Sequence, residues 1–159
     1  MEAKVNWRGG LGFNGTADTG FTISCGADMS VGGANDGFRP MELLAIGLAG
    51  CTGMDVISIL QKKRQDVTAF EVQAHMDRQE SHPKVFNRAV LEYLVTGHGV
   101  EEAALRRAIE LSATQYCPAQ AMFGRIMPIE LKYSIFEDQG EGRQLVTSGS
   151  FILPEQVPS

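Results

Sequence analysis

Two periods run through the chain. The stretch "AKVNWRG" alternates apolar and polar residues at Val5 and Trp7, and "GFTISCG" does the same at Phe21, Ile23 and Cys25. Both predict strands of an antiparallel sheet, with Cys25 as a core strand residue. From Gly26 to Pro40 the sequence is rich in Gly, Asn and Asp and has no period, which predicts a loop. The run "PMELLAIGLAGCTGMDVISILQKKR" then predicts one long helix from Pro40 to Arg64. Pro40 suits its first turn, and Lys62, Lys63 and Arg64 complement the negative end of its dipole. Period two returns in "AFEVQAHMDRQ" and "KVFNRAVLEYLVTG", joined by "ESHP", which predicts a hairpin of two long strands. An amphipathic helix follows over 101–116, with Ala104, Leu105, Ala108, Leu111 and Ser112 on one stripe. Pro118 interrupts it. A short helical piece "PAQAMFGR" and a strand "PIELKYSIFE" lead to Glu137, and 138–159 is polar apart from Phe151 to Leu153. The order predicts an α+β fold without repeated crossover units.

Composition narrows the function. A chain of 159 residues that is 43% hydrophobic fits one compact domain with its own core. A net charge of -5, with no basic cluster longer than Lys62-Lys63-Arg64, argues against a nucleic-acid partner. The start "MEAKVNWRGGLG" has neither a basic nor an apolar leader region, so a cytoplasmic protein is expected. No membrane span is expected either, because Asp55 interrupts the apolar run from Leu43 to Leu60. Cys25, Cys51 and Cys117 are too few and too scattered for a disulfide scaffold. His75, His82 and His98 offer no close zinc spacing with them, so no metal and no cofactor is expected.

The candidate chemistry is therefore that of thiols. At about 100° per residue, Leu44, Gly47, Leu48, Met54, Asp55 and Ser58 share the helix face of Cys51. Cys51 fills a gap in a helix whose Gly47, Gly50 and Gly53 admit a close neighbour, or it is a reactive thiol. Cys117 precedes Pro118, so it either caps a new helix or marks a kink. A cap would lower its pKa, whereas apolar surroundings would raise that of a mid-helix thiol, so Cys117 is expected to be the more acidic. Asp55 is expected to pair with a base or to cap a buried N–H of a partner. Arg106 and Arg107 read as a solvated helix face.

The segments "RPMELLAIGLAGCTGMDVISILQKKR", "HPKVF" and "YCPAQAMFG", in this order, resemble the OsmC/Ohr superfamily, and its OsmC-like branch more closely than the Ohr or OsmC enzymes. The match runs from about residue 3 to residue 137, which sets an OsmC-like domain at 1–137 and an appended tail of unknown role at 138–159. The resemblance implies an intertwined homodimer, in which long Cys-bearing central helices are wrapped by antiparallel sheets. It also implies reduction of organic hydroperoxides in oxidative-stress defence. Cys51 matches the family's peroxide-attacking cysteine and Cys117 its resolving cysteine, joined by a disulfide on turnover and regenerated by an external dithiol of lipoyl type. An apolar mouth of Leu44, Leu48, Met54, Met122 and Phe123 would take the substrate.

The sequence departs from the family at one activating pair. Met41 stands where the peroxidases carry the glutamate that pairs with an arginine beside the reactive sulfur. Glu42 follows one residue later, about 180° around an ideal helix from Cys51 and roughly 13 Å along it. Arg8 and Arg39 are the candidates for the arginine. The alternative expectation is a non-enzymatic member of the fold that binds an apolar small molecule at its dimer interface.

Overall fold

The computed structural model describes residues 1–152, and its chain divides into two compact units, Met1–Leu44 and the remainder from Ala45. The first unit carries a three-stranded antiparallel sheet of β1 (Ala3–Trp7), β2 (Phe13–Ala17) and β3 (Thr22–Cys25), in that order. Strand β2 was not expected from the pattern. Its sequence "FNGTA" has a glycine at its centre, and that glycine is functional in the sheet. A Cβ on Gly15 would lie 3.3 Å from Cγ2 of Ile23 and 3.7 Å from Cγ1 of Val5, so a small residue lets its neighbours close over it. Cys25 is not a core residue as expected: it ends β3, bridges to Phe38 and is only half-buried, because one face of this small sheet stays open. The loop beyond β3 contains a short 3-10 turn, Met29–Val31, whose cap Asp28 accepts the Ser30 N–H at 2.9 Å.

Helix α1 (Pro40–Lys62) opens with a capping interaction, in which the Glu42 carboxylate accepts the Arg39 N–H at 2.9 Å. It closes two residues earlier than the charge pattern predicts. Arg64 adopts a left-handed φ of 57°, its N–H bonds the carbonyl of Gln61 at 2.9 Å, and the Gln65 N–H bonds that of Leu60 at 3.0 Å. These two bonds are the paired terminal bonds of a Schellman stop, made here without glycine.

Beyond Ala45 the architecture is one four-stranded sheet, β4 (Asp66–Arg78), β5 (Phe86–His98), β6 (Ile129–Asp138) and β7 (Arg143–Ile152), in that order. The predicted β4–β5 hairpin is present, antiparallel from Asp66↔His98 to Arg78↔Phe86. The expectation of wholly antiparallel sheets fails at the next pair, since β5 and β6 run parallel from Ala89↔Ile129 to Gly97↔Glu137. Parallel neighbours need a long crossover. Here it consists of α2 (Glu102–Leu111), a π-helical turn Ser112–Tyr116 and α3 (Pro118–Phe123).

The predicted 101–116 helix thus loses regular winding at Ser112, whose carbonyl takes the Cys117 N–H at 2.8 Å. Its buried stripe is Ala104, Leu105, Ala108 and Ile109, continuing into Ser112 and Ala113, while Leu111 is half-exposed. The core of this unit lies among Leu48, Val56 and Leu60 of α1, Leu91, Tyr93 and Val95 of β5, and Ile129, Leu131, Tyr133 and Ile135 of β6. Each such aliphatic side chain contributes about 1.5–3 kcal/mol on burial.

The segment 138–159 contributes β7, antiparallel to β6; its apolar patch extends to Leu153, which lies outside the described residues. Gly149 lies opposite Tyr133, where an added Cβ would come 2.3 Å from the phenol oxygen. Arg106 is exposed as expected, and it also donates to Tyr133 Oη at 3.2 Å and lies over the Phe151 ring at 5.4 Å. Arg107 pairs with Glu110 at 2.9 Å on the exposed side.

Candidate active site

Cys51 of α1 and Cys117 at the start of α3 are neighbours. Cys51 is half-buried in α1, and Cys117, with 3% of its surface exposed, caps α3 and accepts the Gln120 N–H at 3.4 Å. Of the two alternatives left open at Cys117, a cap or a kink, the structure has the cap, but the acidity expected of a cap is absent. Burial pushes the Cys117 thiol up to about 12, with neighbouring Cys51 acting in the same direction and the Gln120 N–H opposing it. One long amide contact does not replace the water that burial removes. Both thiols are reduced.

A buried polar cluster adjoins the pair. The Thr52 hydroxyl lies 2.7 Å from Tyr93 Oη and 2.9 Å from Ser112 Oγ. Gln120 Nε2 donates to Thr52 Oγ1 at 2.8 Å and to Tyr93 Oη at 3.4 Å. Ser112 in turn donates to Asp55 Oδ2 at 3.0 Å, so within its own chain this carboxylate is held by a hydroxyl. Thr52, Ser112 and Gln120 are fully buried, and among the described residues Gln120 Oε1 has no hydrogen-bond partner. Burial holds the Tyr93 phenol well above its ordinary range, with the Cys117 charge adding to the shift and the Thr52 contact opposing it.

None of Thr52, Tyr93, Ser112 and Gln120 was singled out by sequence as functional. A signal did exist for Thr52. It stands between Leu48 and Val56 at four-residue spacing, a hydroxyl on the buried stripe of α1, and a polar residue at a core position needs a partner.

Arg8 and Arg39, the expected candidates for the activating arginine, each have a carboxylate partner within the first unit. Arg8 pairs with Asp36 at 2.6 Å, and Arg39 reaches Asp28 at 3.3 Å and the Gly37 carbonyl at 2.9 Å, besides Asn35 Oδ1. Their guanidinium groups hold the Asp28 and Asp36 carboxyls below the usual range, at Asp28 after the larger effect of the Ser30 N–H. Glu42 serves as the helix cap already described. Of the residues expected to line an apolar mouth, Leu48 is fully buried, Met54 and Met122 are exposed, and Phe123 packs edge-on against Phe86 at 6.5 Å. Leu44 is exposed and closes the first unit. Among the described residues no three His, Cys, Asp or Glu side chains converge to hold a metal.

Residues 33–132 match the family of OsmC-like proteins, a span that includes both thiols and the whole polar cluster. The chain belongs to that family. Within it, the chain is 36% identical to Protein YhfA of Escherichia coli K12 over 135 residues, covering 85% of this chain and 98% of that protein. A crystal structure of a hypothetical protein from Aquifex aeolicus VF5 superposes with a TM-score of 0.76 at 29% identity, covering 87% of this chain and 97% of the other. A more distant neighbour is an organic hydroperoxide resistance protein OsmC of Legionella pneumophila, with a TM-score of 0.61 at 14% identity, covering 84% and 94%; it shares the fold.

Proposed function

We propose that this OsmC-like protein is a thiol peroxidase for organic hydroperoxides. The observation that carries the reading is that Cys51 and Cys117 are neighbours, although their elements lie far apart in sequence. Cys51, the more exposed sulfur, attacks the peroxide oxygen as a thiolate, giving an alcohol and a Cys51 sulfenic acid. Cys117 attacks that sulfur, water leaves, and a Cys51–Cys117 disulfide remains. A dithiol, of lipoyl type as the resemblance suggests, returns both to thiols by exchange. The name of the Legionella neighbour supports this reaction class for the fold.

The protein acts as a homodimer in this reading. Ile46, Gly50 and Met54 present an exposed side of α1, next to Phe70 and Val72 of β4, and among the described residues nothing lies within 4 Å of a Cβ placed on Gly47 or Gly50. A second copy would cover this face.

One observation favours a second reading, a non-enzymatic binder of an apolar small molecule at the dimer interface. Met41 replaces the family glutamate, and Arg8, Arg39 and Glu42 already have partners in the first unit. Intact mass after one equivalent of cumene hydroperoxide separates the two. The peroxidase loses two hydrogens in a disulfide between Cys51 and Cys117, and Cys51→Ser abolishes both this loss and dithiol-dependent turnover. An unchanged mass, or turnover that survives Cys51→Ser, would leave only the binder.

A further inference from the structure

Cys117 is held on both sides by residues that also hold α1. On one side Ser112 takes the Cys117 N–H on its carbonyl at 2.8 Å, and its hydroxyl lies 2.9 Å from that of Thr52. On the other, the backbone N–H of Gln120 reaches the Cys117 sulfur at 3.4 Å, and the Gln120 amide donates to Thr52 Oγ1 at 2.8 Å. Both arms end on one oxygen, and Thr52 is the residue that follows Cys51 in the chain.

That oxygen is fully used. Ser112 gives its own proton to Asp55, so it accepts that of Thr52, whose two lone pairs take protons from Gln120 and, across 2.7 Å, from Tyr93. Thr52, Tyr93, Ser112 and Gln120 are all fully buried, so a bond lost here finds no water to replace it. Gln120 Nε2 serves Thr52 and Tyr93 while, among the described residues, Oε1 has no partner, a cost that an apolar side chain would avoid.

Local structure cannot hold Cys117 by itself. Helix α3, which it caps, has six residues and the π-helical turn before it five, both too short to be stable alone. Helix α1 is by contrast a continuous run of 23 residues, so fixing Thr52 also fixes the adjoining backbone of Cys51. The place of Cys117 relative to Cys51 is therefore set by bonds between elements, and these converge on Thr52.

We propose that Thr52 is the positioning residue of the thiol pair: its hydroxyl, gripped by Ser112 and Gln120, clamps the segment around Cys117 against the turn of α1 that carries Cys51, and so raises the effective concentration of one sulfur at the other. This rests on the reading of Cys51 and Cys117 as a disulfide-forming pair. In the closing step the Cys117 sulfur forms the S–S bond, the S–O bond of the Cys51 sulfenic acid breaks, and the departing hydroxide takes up the Cys117 proton as water. Cys117 is oxidised and the sulfenic sulfur is reduced. A clamp assembled beforehand removes the ordering of the Cys117 segment from this step.

The clamp is tested without peroxide, as an equilibrium. The full chain carrying Cys25→Ser is brought to balance with glutathione, whose disulfide takes two hydrogens from Cys51 and Cys117 and leaves as two thiols. Alkylation of the remaining protein thiols, followed by intact mass, gives the ratio of disulfide to dithiol. A bond that only stabilises the fold, equally in both redox states, lowers the urea midpoint when lost and leaves this ratio unmoved. Thr52→Val is expected to lower the ratio about tenfold where the protein is folded, and Thr52→Ser, which keeps the hydroxyl, to restore it. Gln120→Met cuts one arm only, so it lowers the ratio less, and lowers it no further in a chain that already carries Thr52→Val. A parent ratio in folded Thr52→Val, or a Thr52→Ser ratio as low as that of Thr52→Val, would overturn the clamp and leave the peroxidase standing. If Thr52→Val does not fold, a parent ratio in Gln120→Met does the same. A lowered ratio in these variants with no disulfide formed by hydroperoxide would overturn the peroxidase alone.

Discussion

Cys117 is subject to opposed influences whose balance a local pattern does not reveal. A helix start supplies amide protons that favour the thiolate, and the sulfur does receive the Gln120 N–H. Burial favours the thiol, and at 3% exposure burial prevails. The consequence for stability has a definite sign. The native thiol titrates at about 12 and the unfolded one near 9, so below pH 9 both states hold the proton and its full contribution is present. Between about 9 and about 12 the unfolded chain ionises first and native stability falls as pH rises. The urea midpoint is expected to drop across this window, and Cys117→Ser should make the drop shallower. Tyr93, raised in the same direction from its ordinary 10, accounts for the remainder. Around Asp28 and Asp36 the sign reverses, since depressed carboxyls contribute above their ordinary pKa and lose that contribution as acid protonates them.

At the level of elements, helix α1 is bounded by interactions that only partly follow preference. Its start is favourable, with Pro40 in the first turn and Glu42 on the Arg39 N–H. Its end is not, because Arg64 sits at φ 57° in a position that favours glycine. Arg64→Gly should therefore raise stability by about 0.5–1 kcal/mol, measured by urea unfolding, without altering the thiol chemistry. A result at or below zero would mean that the arginine side chain stabilises the turn. The same helix shows how far periodicity reaches. Strands β4, β5 and β6 and helices α1 and α2 were legible because each buries one face or one stripe along a contiguous run. Strand β2 was not, since Gly15 serves the sheet by lacking a side chain and leaves no apolar signal. The parallel pairing of β5 with β6 was also hidden, because both strands present the same alternation whichever way their neighbour runs.

The whole molecule exposes more apolar surface than one chain explains. Helix α1 is long and apolar enough by length and composition to cross a membrane, and only 22% of that window is buried. Strand β1 leaves Val5 and Trp7 more than 60% exposed, as is Phe21 just before β3. In the proposed dimer a second copy would cover such surfaces. Sedimentation equilibrium of the purified chain is expected to give about twice 17.3 kDa, and Met54→Lys, which sets a charge on the exposed side of α1, should shift it toward that single mass. A wild-type monomer at micromolar concentration would remove the dimer from the proposed function.

The sequence by itself determined the α+β composition, the long Cys-bearing helix, the hairpin and membership of a family, because these are written in short-range spacing, and it left Cys117 open between a cap and a kink. Only the tertiary structure decided what surrounds the sulfurs. Thr52, Tyr93, Ser112 and Gln120 come from α1, β5, the π-helical turn and α3, and each looks ordinary within its own segment. Their meaning lies in hydrogen bonds across gaps of 27 to 68 residues, and in a desolvation that depends on what other elements bring to the same place. Neither leaves a periodic mark along the chain.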